Sequence, residues 1–114
     1  MLSDLGETIN GYFNYHQKII LLCILNLARK QKSKKTINID ELSIHYKKLC
    51  ENYKIEQVFK NNFIDALKII ETAGLLTIKN DVIRNIGFPG CTRNDLEEAI
   101  YQDPEFVKFR DSLT

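Results

Sequence analysis

The chain has 114 residues, the size of one domain. Its 44% hydrophobic and 27% charged residues exclude a disordered or fibrous chain. A formal net charge of +1 excludes a strongly basic tail protein but hides an uneven distribution: from Thr92 onward three Lys or Arg stand against six Asp or Glu, which leaves +4 for residues 1–91.

Residues 2–13 have the spacing of a short amphipathic helix, with Ser3 or Asp4 as cap and Leu2, Leu5, Ile9 and Phe13 on one side. Residues 15–31 form the first strong helix. Its apolar residues run almost all the way round, leaving a thin polar line through Lys18, Asn26 and Arg29, so it is expected to be the buried central post. The run from Ile19 to Ala28 is too short for a membrane span, which needs about 20 apolar residues. It is no signal peptide either, because the positive charge follows the apolar run. Next, Thr36 to Ile39 alternates and is β-branched, the pattern of a short strand. Asp40 is the expected cap of a helix over 41–54, with Leu42, Tyr46, Leu49, Cys50 and Tyr53 in one stripe.

A third helix spans 61–73. Phe63, Ala66, Leu67 and Ile70 are its inner side, and Gly74 takes the left-handed cap position. Two strand-like runs follow, 75–79 and 82–88, joined by Asn80 and Asp81, which tolerate the positive φ of a tight hairpin turn. "GFPGC", residues 87–91, reads as a turn. Thr92 and Asp95 have the spacing of a capping box and open a helix to Gln102; Asp103 and Pro104 restart it. The order of elements is mainly α with a small β-hairpin, that of a winged helix-turn-helix, and the short strand can join the hairpin. The three cysteines, Cys23, Cys50 and Cys91, lack zinc-like spacing, and an odd number makes a poor disulfide framework. They are read as reduced thiols of an intracellular protein, Cys23 and Cys50 as small core residues.

Four stretches carry a family resemblance: "HQKIILLCIL" from His16, "YKKLCE" from Tyr46, "ALKIIETAGLLTIK" from Ala66 and "DLEEAIYQDPEF" from Asp95. Together they resemble the C-terminal winged-helix domain of the replication initiators. That family comprises the largest subunit of the origin recognition complex and the related helicase-loading cell-division-cycle protein. The resemblance covers about Tyr15 to Asp103. It implies a nuclear protein (cytoplasmic if archaeal) whose partners are duplex DNA, other origin recognition complex subunits and the replicative helicase. It also implies that residues 1–114 are one domain, the C-terminal part of a larger AAA+ initiator, with 1–13 as an N-terminal helix and 92–114 as a helical extension. The chain has no G-x-x-x-x-G-K-[ST] loop. ATP and Mg are therefore expected only in a separate ATPase module, with no cofactor and no catalysis here.

The third helix of such a domain enters the major groove by its N-terminal end. Lys60, Asn61, Asn62 and Lys68 suit base edges and phosphates there, although Asp65 and Glu71 oppose phosphate. Lys79, Asn80 and Arg84 sit on or beside the hairpin, where the family uses its wing on DNA; equally, such cations protect a sheet edge. Arg29, Lys30, Lys32, Lys34 and Lys35 leave the central helix as a basic run, open to phosphate contact or simple solvation. His16 and His45 lack a second ligand at metal spacing, so no metal site is expected. The alternative function is protein interaction: docking on neighbouring initiator subunits or the helicase, with Ile44 and Ile69, outside their apolar stripes, as contacts.

Overall fold

The computed structural model describes residues 9, 11–30, 36–58, 60–84, 86 and 92–113. Of the expected N-terminal helix, residues 1–8 and 10 lie outside that set; Ile9 and Phe13 are both buried, as the apolar spacing required.

Helix α1, Tyr15–Lys30, is the post on which the domain is built. Its entry is fixed by a reciprocal pair: Asn14 Oδ1 accepts from the Gln17 N–H and Gln17 Oε1 accepts from the Asn14 N–H, both at 2.9 Å. Every residue from Gln17 to Ala28 is buried. The expected polar line is corrected at two positions, because Lys18 and Asn26 are inside. Burial of an ammonium needs a partner. Lys18 Nζ donates to Asp103 Oδ2 at 3.0 Å and lies 4.7 Å above the Phe106 ring.

Strand β1 is only Ile37–Asn38, shorter than the alternation predicted, because helix α2, Ile39–Tyr53, begins at once. The cap is Asn38, not Asp40: Asn38 is extended, and its side chain accepts from the Asp40 N–H at 2.8 Å. Asp40 sits in the first turn, where its charge favours the helix dipole. Leu42, Tyr46, Leu49 and Cys50 are buried as the stripe demanded.

Helix α3, Lys60–Thr72, buries Phe63, Ala66, Leu67 and Ile70. It ends in a Schellman motif: Gly74 (φ 88°) donates to Glu71 O and Leu75 to Ile70 O. Strands β2, Thr77–Lys79, and β3, Val82–Arg84, form the hairpin. Both are shorter than the runs of the sequence. Leu75 and Leu76 are core residues of the approach, and residues 85, 87 and 88 lie outside the described set. Asn80 (φ 53°) and Asp81 (φ 60°) make the two-residue turn, both left-handed as a type I′ turn requires. The sheet order is β1-β3-β2, all antiparallel. Ile37 pairs with Ile83 and Ile83 with Ile78, so three isoleucines face inward across the sheet.

Helix α4, Arg93–Tyr101, starts on the capping box of Thr92 and Asp95. Asp103 and Pro104 open a 3₁₀ turn, Pro104–Phe106, and α5, Lys108–Leu113, is the last helix among the described residues. Leu96, Ala99, Ile100, Phe106 and Phe109 are fully buried, which makes this C-terminal segment part of the core. Cys23 and Cys50 are buried free thiols. Cys91 and the "GFPGC" turn lie outside the described residues.

Candidate nucleic-acid interface

Burial of one stripe of α3 dictates what the other presents. With Phe63, Ala66, Leu67 and Ile70 inside, Asn61, Asn62, Asp65, Lys68, Ile69 and Thr72 are exposed. At 100° per residue, Asn61, Asp65, Lys68 and Thr72 form the outermost line. Lys60 opens the helix, but its side chain lies outside the described part.

The hairpin is tied to this helix by a bond between Glu71 and β2. Glu71 Oε2 accepts from the Ile78 N–H at 2.7 Å. Ile78 lies on an edge strand, so this N–H points away from β3, and the carboxylate supplies the partner that a further strand would otherwise give. In the sequence Glu71 read only as a charge opposing DNA. Its actual place is half-buried against the wing. The one available signal was its position one turn before a hairpin.

Register sets where the wing cations go. Thr77 opposes Arg84 and Lys79 opposes Val82, while Ile78 and Ile83 face the core. Alternation therefore puts Lys79 and Arg84 on the same outward face, with Asn80 exposed at the tip. Asp81, also exposed at the tip, offsets one of the two charges.

Behind the interface, a buried tyrosine joins three segments. Tyr46 Oη accepts from the Val58 N–H at 3.2 Å, and His16 Nδ1 lies 3.1 Å from the same oxygen. This fixes the α2–α3 connection against the start of α1. Burial pushes the Tyr46 hydroxyl up to about 12 and holds His16 below the usual histidine range, with nearby Glu56 opposing. Both groups are thus neutral near pH 7, as a structural hydrogen bond needs.

The basic run after α1 divides. Arg29 Nη1 donates to the buried Glu97 Oε2 of α4 at 2.9 Å, so this guanidinium fastens α4 to α1. Burial pushes the Glu97 carboxyl up, and Arg29 pulls the other way. Lys30 is exposed at the helix end, and Lys32, Lys34 and Lys35 lie outside the described residues. His45 is half-buried, and burial followed by Lys30 and Lys48 lowers its proton affinity. Among the described residues no group of His, Cys, Asp and Glu could hold a metal ion, and no helix is long and apolar enough to cross a membrane.

Three helices, a strand that joins the hairpin and a wing tied to the third helix define a winged helix. The family model described as "CDC6, C terminal winged helix domain" matches residues 9–84, about two thirds of the chain. The chain belongs to this family. Comparison with curated proteins and with solved structures gave no match. Membership in the CDC6 winged helix family supports a DNA-binding or interaction module of replication initiation, and a winged helix of this kind is typically non-catalytic. The match ends at Arg84, the last residue of the wing, and α4 and α5 lie beyond it.

Proposed function

We propose that this CDC6-family domain grips duplex DNA, with α3 in the major groove and the wing on the backbone, as part of an AAA+ initiator that acts at origins during helicase loading. The observation that carries this reading is the Glu71–Ile78 bond. It holds a wing with two outward cations, Lys79 and Arg84, to the helix that exposes Asn61, Asn62 and Lys68. Phosphate contact by these cations gives affinity without sequence preference, and the asparagine amides suit base edges. Arg29, Lys30, Lys32, Lys34 and Lys35 are secondary candidates for phosphate contact. Within that set Arg29 is already engaged with Glu97.

Fluorescence anisotropy of a short labelled duplex, titrated at two salt concentrations, tests the proposal. Binding is expected at low salt, with each lost phosphate contact flattening the slope of log affinity against log salt by about 0.9. Absence of binding at low salt refutes it.

A second reading, docking on neighbouring initiator subunits or the helicase, is favoured by two aliphatic side chains left in solvent: Ile44 is 56% and Ile69 37% exposed. A pull-down with those subunits, comparing the native chain with Ile69→Glu and Ile44→Glu, decides whether either surface is used.

A further inference from the structure

The flank of α3 turned away from the wing has a different chemistry. Asn62, Asp65 and Ile69 face the N-terminal end of α1 across a groove of about 250 Å³, whose opposite wall includes Asn14, His16 and Val58. No Lys or Arg is among the described residues of its lining. Asp65 is exposed, and Glu56, on the α2–α3 connection, acts on His16 electrostatically. Ile69 stands open to solvent, with Val58 half-buried on the other side. The walls are preorganised: the Asn14–Gln17 pair fixes the start of α1, and the Tyr46 hydroxyl ties His16 to Val58.

Asp65, the one carboxylate among the described residues of the lining, repels a phosphate backbone. It attracts an Arg or Lys, and the aliphatic walls suit an apolar neighbour of that cation. We propose that this groove docks a short protein segment in which a basic residue adjoins an aliphatic one, the cation meeting Asp65 and the aliphatic side chain lying on Ile69 and Val58. The inference rests on the protein-interaction reading and gives it a surface and a partner chemistry. It leaves the wing free, so one domain can hold DNA on one flank of α3 and a protein on the other.

The test uses the full chain, ¹⁵N-labelled, and Gly/Ser peptides with a central Arg-Leu or Glu-Leu pair. The Arg-Leu peptide is expected to shift the amides of His16, Asn62, Asp65 and Ile69. Asp65→Asn is expected to weaken it about 1.5- to 5-fold, the effect of an exposed ion pair. Ile69→Ser weakens it as well, Ile44→Ser leaves it unchanged, and the Glu-Leu peptide binds more weakly than Arg-Leu. Shifts confined to the surroundings of Ile44 overturn the groove while leaving protein interaction standing. Equal binding of both peptides, or no shift at all, also overturns the groove, and the pull-down then decides the wider reading on its own. If a short duplex shifts the groove amides and the Arg-Leu peptide does not, the groove belongs to the nucleic-acid interface and the proposal is wrong.

Discussion

The two flanks of α3 are built from the same helix yet differ in every property that selects a partner. Towards the wing stand Lys68, Lys79 and Arg84, with the Glu71 carboxylate bonded to the Ile78 N–H and Asp81 at the tip. Towards α1 stand Asp65 and Ile69, and Glu56 on the α2–α3 connection acts on His16. A charge's meaning on a helix therefore depends on what it is bonded to, not on its sign alone. Glu71 and Asp65 are six residues apart; one is a structural tie and the other an open charge.

The difference can be broken or sharpened by substitution. The largest effect is expected from the C-terminal segment, which holds the start of α1 and hence one wall of the groove. Phe106 is fully buried, packs on Tyr15 and lies beneath Lys18. Phe106→Ala should cost about 3–5 kcal/mol in urea unfolding. In the fraction that remains folded, groove amides should shift more than those of the wing. Next comes joint reversal of Lys68, Lys79 and Arg84 to Glu, which should abolish duplex binding at moderate salt while leaving the unfolding midpoint nearly unchanged, since all three are exposed. A smaller change is expected for Glu71→Ala, which leaves the Ile78 N–H to water: about 1 kcal/mol of stability, together with weaker duplex binding. Glu71→Gln, which keeps an acceptor, should restore much of both. Asp65→Lys should act in opposite directions on the two flanks, raising duplex affinity and lowering that of the Arg-Leu peptide; a parallel change in both would erase the distinction.

The smallest effect is that of pH. His16 has a proton affinity lowered by burial, so the unfolded chain binds its proton more readily than the folded one. Its contribution to stability is complete above the ordinary histidine value of 6.5 and is lost as pH falls through the lower folded value. Unfolding midpoints measured from pH 7.5 down to 5 should fall more in the native chain than in His16→Gln. Asp103, lowered by its bond from Lys18, adds a decline of the same sign below the usual carboxylate range.

Local patterns carried most of the fold. The apolar stripes of α2 and α3, Gly74 as cap, the Asn80–Asp81 turn and the Thr92–Asp95 box are interactions between near neighbours in the chain, and all appear in the structure. The misses are of two kinds. Asn38 rather than Asp40 caps α2 because strand pairing of β1 ends one residue before the helix begins, a boundary that two adjacent capping residues leave ambiguous. Lys18 reads as a solvent-facing cation and Arg29 as a candidate for phosphate contact because their partners are remote: Asp103 is 85 and Glu97 68 positions away. Glu71 was misread because its acceptor role depends on how the hairpin folds back. On the candidate interface, exposure of Asn61, Asn62 and Lys68 followed from the helical period, whereas the division into a cationic and an acidic flank required the packing of α1 and the wing.

The most direct test is to titrate the ¹⁵N-labelled domain with a short duplex and map the perturbed amides. Perturbations should concentrate at Asn61, Lys68 and residues 77–84 and leave Asn14 and His16 unmoved. Perturbations that spare the wing, or that centre on the Asn14–His16 side of α3, would contradict a grip by helix and wing.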